Sequence, residues 1–118
     1  MMCYVSDAEG KTIISHCEIA DTYFRRLIGC LGKKHLEWDT GMLIEPCHSV
    51  HTCFMRFPID VLFLDSDKKV IHIIENMLPW KFSPLVKYSK YVIELPAGKI
   101  RECGIDLSHQ LAFSNIKK

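Results

Sequence analysis

The sequence lacks long apolar runs, a charge excess of either sign and closely spaced cysteine pairs. No apolar stretch approaches the roughly 20 residues that a membrane-spanning helix needs, so we expect no membrane span. The formal net charge is +1 over 118 residues, which provides neither a basic field for nucleic acid nor an acidic surface for cationic partners. These absences predict a globular protein that does not bind nucleic acid.

The chain also lacks the features of a secretory signal peptide. Its first residues, MMCYVSDAEGK, contain neither the positively charged region nor the apolar region of such a peptide. Six cysteines are present, but no C-x-x-C pair of the kind found in many zinc sites occurs among them. We therefore predict a cytoplasmic protein whose cysteines are thiols, because a reducing compartment disfavours disulfides. No cofactor is predicted.

Length and composition are those of one domain that spans residues 1–118. Hydrophobic residues make up 48% and charged residues 25% of the chain, as in an ordinary globular protein. A chain of this size can bury a core without disulfide or metal crosslinks. No repeat, low-complexity segment or linker divides it.

Short apolar runs separated by turn residues predict a mainly β fold, on the borderline of α+β. The connections look too short for βαβ crossovers, which favours antiparallel pairing in a compact β-barrel or sandwich. Residues 77–87, with two prolines and Trp80, predict a long ordered loop, a feature that often carries function in compact domains. Strands are expected at residues 3–5, 12–19, 42–44, 61–65, 70–75, 91–95 and 107–113.

One amphipathic helix is predicted near residues 22–31. Asp21 is a suitable N-cap, because its side chain can accept a hydrogen bond from the first turn. Gly32 suits the position just after the helix. Apolar residues recur at helical spacing and mark the face that we expect to be buried; they are Phe24, Leu27, Ile28 and Leu31.

The segment 49–57 and the preceding Cys47 are rich in side chains that can bind metals. If the segment is extended, His51, Cys53 and Met55 lie on one face, because strand side chains alternate. Thiolate and imidazole groups suit Zn or Cu(I), so one hypothesis is a metal or thiol site at Cys47, His51 and Cys53. The alternative is a core strand in which small cysteines and a methionine fill space.

Two carboxylates fall within apolar strand patterns. Asp60 directly precedes the run VLFL and Glu94 lies inside YVIEL, where a carboxylate is costly unless it is paired or solvated. Arg26 and Arg56 are candidate partners, with His51 placed to lie nearby. One hypothesis is a network of ion pairs that fixes the strand register. The other is a polar cleft for a small anionic ligand, because arginine matches carboxylates in a bidentate manner.

Three motifs together resemble one known family: RLIGCLGK at 26–33, the stretch from 41 to 65, and YVIELPAG at 91–98. The chain resembles the prokaryotic "domain of unknown function 192" family, also called UPF0127. It is most similar to the branch with the core PCxSxHTxxMRFPxDVxFLD, and the resemblance extends over residues 22–113. It implies a small, mostly β barrel or sandwich with one helix, and it implies no biochemical activity.

The resemblance falls on several of the candidate residues. The pattern shared by the whole family is matched at Arg26, Gly29, Met55, Asp60 and residues 94–98. The more similar branch adds His51, Thr52 and Arg56.

We therefore predict a non-enzymatic binding module whose partner is a small anionic ligand or a peptide. The first alternative is the metal or thiol site at Cys47, His51 and Cys53. The second alternative is a hydrolytic enzyme that uses His51, Asp60 and Glu94 as acid–base groups. The predicted cleft of the binding module is lined by Arg26, His51, Arg56, Asp60 and Glu94.

Overall fold

Seven strands and one short helix are formed by residues 2–20 and 34–115, which the computed structural model describes. The prediction of a mainly β protein is confirmed. The helix predicted near residues 22–31, together with Arg26, lies outside the described residues. No helix among the described residues is long and apolar enough to cross a membrane. The elements are β1 (Met2–Asp7), β2 (Thr12–Ala20), β3 (Thr40–Ile44), β4 (Ile59–Leu64), β5 (Val70–Met77), β6 (Tyr91–Pro96), α1 (Lys99–Cys103) and β7 (Leu111–Asn115).

The seven strands join one curled, half-barrel sheet in the order β5-β4-β6-β3-β2-β1-β7. Five of the six neighbouring pairs are antiparallel, as predicted, whereas β2 and β3 are parallel, with Cys17 opposite Gly41. The prediction of antiparallel pairing is therefore wrong for this one pair. Residues 21–39 join the two strands, and this connection is longer than the roughly 12 residues that a parallel crossover needs.

The last strand begins later than predicted, at Leu111. The preceding residues form a turn, in which Ser108 has a φ of 73°. The N–H of His109 donates to the carbonyl oxygen of Asp106 at 3.3 Å within this turn. A left-handed residue cannot continue an extended chain, so the strand starts only after it.

Apolar side chains are buried on both faces of the sheet. Strands β4 and β6 are buried along their whole length. This burial explains their nearly continuous apolar sequences, because a strand that is covered on both faces does not alternate between apolar and polar residues. Successive residues nevertheless alternate between two clusters: Leu62, Leu64, Ile93 and Leu95 belong to one, and Ile59, Val61, Phe63, Met42 and Val92 to the other.

Two long loops connect opposite ends of the sheet's central strands, because β3 and β4 run in the same direction, as do β5 and β6. Loop A (residues 45–58) joins β3 to β4, and loop B (residues 78–90) joins β5 to β6. Loop B agrees with the long loop predicted from its two prolines and Trp80.

Loop A is not the extended segment that the sequence pattern predicts. It forms turns in which Phe54 has a φ of 67°, and its β contact is an isolated bridge between His51 and Phe82. The prediction that His51, Cys53 and Met55 share one strand face is therefore wrong. Alternating polar and apolar residues are necessary for a half-buried strand, but a turn can show the same alternation.

Candidate functional site

Asp60 is completely buried at the start of β4, and backbone N–H groups hold its carboxylate. Oδ1 accepts a hydrogen bond from the N–H of Asn76 at 2.8 Å. Oδ2 accepts hydrogen bonds from the N–H groups of Gly98 and Ile100, both at 3.0 Å. Hydrogen bonds to a charged acceptor are among the strongest in proteins, so three of them offset the loss of hydration of the carboxylate.

These donors are available because the backbone departs from regular structure on two sides of Asp60. Ile59 pairs with Met77 but Val61 pairs with Ile74, so β5 contains one extra residue opposite Asp60. Such a bulge leaves a backbone group outside the ladder, and the N–H of Asn76 is free to meet the carboxylate. The other two donors precede or begin α1, where a helix has N–H groups without partners of its own.

The predicted pairing of Asp60 with Arg56 is not formed. Arg56 is exposed on loop A, and among the described residues no ion pair joins it to Asp60. Arg26 lies outside the described residues. Within the described residues, backbone hydrogen bonds hold the Asp60 carboxylate, and its pairing with Arg26 stays a prediction.

An open cleft of about 390 Å³ borders Asp60. Arg101 of α1 and Glu75 of β5 are exposed there and give the cleft one charge of each sign. Five residues were predicted to line a common cleft, and Asp60 is the member of that set that lines this cleft. The lining residues are Asp60, Glu75, Asn76, Ala97, Gly98 and Arg101.

Glu94 lies on the opposite face of the sheet from Asp60. In the pairing of β4 with β6, Asp60 is opposite Leu95 and Val61 is opposite Glu94. Because neighbouring residues of a strand point to opposite faces, the two carboxylates are separated by the sheet itself. Glu94 is only 3% exposed. The structure therefore does not form the acid–base group of Asp60, Glu94 and His51 that a hydrolytic enzyme requires.

His51 and Arg56, the two other described members of the predicted cleft, lie on loop A. The His51 ring is half-buried, and its centroid is 6.0 Å from the ring centroid of Phe82. Its Nδ1 atom accepts a hydrogen bond from the N–H of Cys53 at 3.2 Å. The exposed Arg56 guanidinium is available to a ligand from solution.

The alternative metal site at Cys47, His51 and Cys53 is not formed. The thiol of Cys47 donates to the carbonyl oxygen of Ser49 at 3.1 Å, and the N–H of Cys53 occupies Nδ1 of His51. Within residues 2–20 and 34–115, no three His, Cys, Asp or Glu side chains come close enough together to hold a metal ion. The prediction depended on strand geometry, which loop A does not have.

Thr52 joins loops A and B and was not recognised as a functional candidate from its own chemistry. Its side chain is completely buried; Oγ1 donates to the carbonyl oxygen of Leu78 at 2.6 Å and accepts from the N–H of Lys81 at 2.9 Å. Its own N–H donates to the carbonyl oxygen of Lys81, and its carbonyl oxygen accepts from the N–H of Trp80, both at 2.9 Å. One residue of loop A thus fixes three residues of loop B.

Further backbone hydrogen bonds continue this attachment along both loops. As a result the loops form one hydrogen-bonded unit, in which main-chain polar groups find partners within the protein. The bonds, all between 2.8 and 2.9 Å, run from the N–H of Ser83 to Val50, from the N–H of Val86 to His48, and from the N–H of Cys47 to Lys90.

The exposed side chains of residues 46–58 and 78–90, which we call the loop surface, are apolar and basic. Four of the fifteen Lys and Arg residues lie in these segments, and none of the fourteen Asp and Glu residues does. The rings of Phe54 and Trp80 are in contact across the two loops, with centroids 4.6 Å apart. The large apolar side chains, each between 51% and 77% exposed, are Phe54, Leu78, Trp80, Phe82, Leu85 and Tyr88.

The sequence contained a signal for this surface in the alternation of aromatic residues and lysines within LPWKFSPLVKY. An apolar residue within a predicted loop has no neighbouring strand or helix position to bury it. Such residues are therefore candidates for exposure, although their exposed fraction can be read only from the fold.

Comparisons with known proteins give a family and a fold. The DUF192 family model, with the description "Uncharacterized ACR", matches residues 4–113. A UPF0127 protein of Pyrococcus furiosus is 30% identical over 111 residues, which cover 92% of this chain and 95% of that protein. The crystal structure of a Novosphingobium aromaticivorans protein of unknown function has a TM-score of 0.82 at 20% identity, covering 95% and 84% of the two chains. A Sinorhizobium meliloti structure, described as a candidate transcription regulator, has a TM-score of 0.78 at 26% identity, covering 95% and 92%.

Proposed function

We propose a binding function for this chain, which belongs to the DUF192 family. In this proposal it is a single-domain, non-enzymatic module that holds an anionic ligand or peptide at the loop surface. His51 and Arg56 of the predicted cleft belong to this surface, whereas Asp60 serves the fold. The observation that carries the proposal is the segregation of charge: four cationic side chains and no carboxylate lie at 46–58 and 78–90.

The charge pattern favours anions for a simple electrostatic reason. Arg56 and Lys81 are exposed and form no ion pair with the described residues, so their fields reach a ligand in solution. A guanidinium can donate two parallel hydrogen bonds to a carboxylate or phosphate, which gives Arg56 the larger share of specificity. Because the charges are exposed, binding is expected to weaken as salt is added.

Rigid presentation also supports a binding role. The hydrogen bonds from Thr52 to Lys81 and Trp80 hold the two loops together before any ligand arrives. A preformed surface loses less conformational entropy on binding than a loop that must first become ordered.

Calorimetric titration with a short polyglutamate peptide tests the proposal. Arg56→Ala should weaken binding by about tenfold, since a charged hydrogen bond contributes about 1.5–3 kcal/mol. The matched control is Arg101→Ala, which removes an exposed arginine from the cleft beside Asp60. If Arg101→Ala abolishes binding and Arg56→Ala does not, the ligand site is the Asp60 cleft and the assignment to the loop surface is wrong.

A reducing, cytoplasmic location is part of the same proposal. Cys3 and Cys17 are buried opposite each other in the β1–β2 pair. A hydrogen bond with Cys17 lowers the pKa of the Cys3 thiol, more than burial and the charge of Glu45 raise it. Alkylation of freshly isolated, denatured protein should count all six thiols. A count of four would show that two cysteines are oxidised and would contradict this location.

A further inference from the structure

Three of the exposed aromatic residues of the loop surface have an unusual backbone conformation. Phe54, Trp80 and Tyr88 have φ values of 67°, 66° and 71°, in the left-handed region that bulky residues rarely adopt. Each of these side chains is more than half exposed, so no burial in the described fold compensates for the strained backbone. A left-handed residue turns the chain sharply, and here it does so at the positions where an aromatic ring faces solvent.

The main chain beneath the Trp80 ring is hydrogen-bonded to loop A. The N–H of Trp80 and the N–H and carbonyl oxygen of Thr52 are hydrogen-bonded within the protein. An unpaired backbone polar group would be costly to transfer into an apolar phase, whereas a paired one is not. This pairing lowers the cost of moving the backbone around Trp80 and Thr52 into a medium with little water.

Lysines alternate with the apolar side chains. Lys81 lies between Trp80 and Phe82 in the sequence, and the Nζ atom of Lys87 is 5.2 Å from the ring centroid of Tyr88. Long lysine side chains can place their stems along apolar surface while the ammonium group stays at a polar boundary. Positive charges therefore lie beside apolar rings, in contact at Lys87 and Tyr88 and in the sequence at Lys81.

From these observations we propose that the loop surface docks on a membrane that contains anionic lipids. This inference rests on the proposed function and names the anionic partner as lipid headgroups. Tryptophan and tyrosine favour the headgroup level of a bilayer, where the apolar part of the ring and the polar atom find different surroundings. Basic residues add electrostatic attraction to anionic lipids, about fivefold in affinity for each lysine near the surface.

Other classes of partner fit the surface less well. Lysine is depleted in protein–protein interfaces, yet three lysines of loop B are exposed beside its apolar side chains. Single-stranded nucleic acid uses aromatic rings for stacking, but the exposed aliphatic side chains of Leu78 and Leu85 provide no ring face. Leucine and lysine together are suited to the boundary between acyl chains and headgroups.

Sedimentation with lipid vesicles tests the proposal on the intact chain. Vesicles of phosphatidylcholine mixed with phosphatidylglycerol should bind the protein at least about tenfold more strongly than phosphatidylcholine alone, and salt should reduce the difference. Lys81→Glu should weaken binding to anionic vesicles by about tenfold or more, whereas Lys11→Glu, in the exposed β1–β2 turn, should not. Equal binding to both kinds of vesicle would overturn the proposal.

The apolar part of the contact has its own readout. The chain contains two tryptophans, Trp38 and Trp80, so Trp38→Phe leaves Trp80 as the only tryptophan, which can be excited selectively. Its fluorescence should shift to the blue on anionic vesicles and be quenched by brominated acyl chains. In the reciprocal variant, Trp80→Phe, the emission of Trp38 should stay unchanged. No blue shift of Trp80 would overturn insertion, and a loss of binding in Phe82→Ala but not in Leu107→Ala would support it.

The soluble peptide separates failure of this inference from failure of the proposed function. If polyglutamate binds in an Arg56-dependent manner but anionic vesicles do not bind, the binding function stands and the membrane assignment fails. If neither binds, both fail. If a single-stranded oligonucleotide binds through the same residues and the vesicles do not, the partner is a nucleic acid and the membrane assignment is again overturned.

Discussion

Asp60 and the loop surface are two exceptions to the usual burial of apolar groups and exposure of polar groups. Asp60 is a buried polar group, and the loop surface is a set of exposed apolar groups. Asp60 is a carboxylate with no exposed surface, whereas Phe82 and Tyr88 are aromatic side chains that are 77% and 76% exposed. The buried carboxylate is compensated within the fold by three backbone N–H donors. The exposed rings have no such compensation in the described part of the chain.

The comparison teaches which exceptions to ordinary burial indicate function. A buried polar group whose hydrogen bonds are all made within the fold is expected to act mainly on stability. An apolar group that the fold leaves in water is retained at some cost in solubility, and clustering of such groups marks an interaction surface. Thr52 connects the two cases, since it is a buried polar residue whose hydrogen bonds hold the exposed surface in place.

The largest expected difference is between two phenylalanines. Phe63 is completely buried in β4 and Phe82 is 77% exposed in loop B. Phe63→Ala should lower the free energy of unfolding by about 3–5 kcal/mol, because it leaves a cavity between packed side chains. Phe82→Ala should change it by less than about 0.5 kcal/mol, as expected for a surface position.

Unfolding in urea, followed by circular dichroism, measures both values. A loss of several kcal/mol in Phe82→Ala would show that this ring is packed in solution. The loop surface would then be part of the core, and its proposed role in binding would lose its physical basis.

The next difference compares two aspartates that accept backbone hydrogen bonds. Asp60→Asn should cost about 1–3 kcal/mol at neutral pH, because a neutral amide cannot accept all three bonds as strongly as the carboxylate. Asp65→Asn is the control: Asp65 accepts bonds from the N–H groups of Asp67 and Lys69 in an exposed turn. Water can replace those bonds, so the cost should stay below about 1 kcal/mol.

If Asp60→Asn is at least as stable as the unmodified protein at pH 7, the structural assignment of Asp60 fails. The carboxylate would then be a group that is kept at a cost to stability, as functional residues often are. That result would direct the search for a ligand to the cleft lined by Arg101 and Glu75.

A smaller effect is expected at Thr52. Thr52→Val keeps the shape of the side chain but leaves the carbonyl oxygen of Leu78 and the N–H of Lys81 without their hydroxyl partner. The cost should be about 1–2 kcal/mol, and exchange of the Trp80 and Lys81 amide protons should become faster. Thr40→Val is the matched control, because that hydroxyl donates to the carbonyl oxygen of Glu37 at an exposed position. Unchanged amide exchange in Thr52→Val would show that the loops are held together without this side chain.

The part of this structure that could be predicted from sequence is the part that local pattern determines. The apolar runs that become β2 and β4 are each specified by adjacent residues, and the predicted strands overlap the observed ones. A carboxylate beside an apolar run is also visible, so Asp60 was recognised as unusual. Its partners were not, because the donors lie between 16 and 40 positions away and are backbone groups, which carry no residue signature.

The structure of loop A also depends on contacts that are distant in the sequence. The alternation around His51 is compatible with a strand, and only contacts with loop B, 26 to 33 positions away, decide that it forms turns instead. Likewise, the parallel pairing of β2 with β3 depends on residues 21–39 acting as a crossover, which turn signals alone do not specify. Long-range contacts therefore separate what sequence patterns predict from what they leave open.

Asp39 provides the smallest predicted effect and extends the comparison to a half-exposed carboxylate. Burial raises its pKa, but the N–H of Ser15 at 2.9 Å, the Ser15 side chain, Lys99 and His16 together prevail and lower the pKa below its ordinary value. A folded-state pKa below the unfolded value of about 3.9 means that the ionised form is stabilised by folding. This stabilisation is present above the unfolded pKa and is lost as the pH falls through the folded pKa.

Asp39→Asn should therefore reduce stability at pH 7, by less than about 1 kcal/mol because the side chain is 53% exposed. The difference from the unmodified protein should shrink below about pH 4. Urea unfolding of both proteins between neutral and acidic pH measures this, and an equal difference at every pH would show that Asp39 acts through packing rather than through its charge.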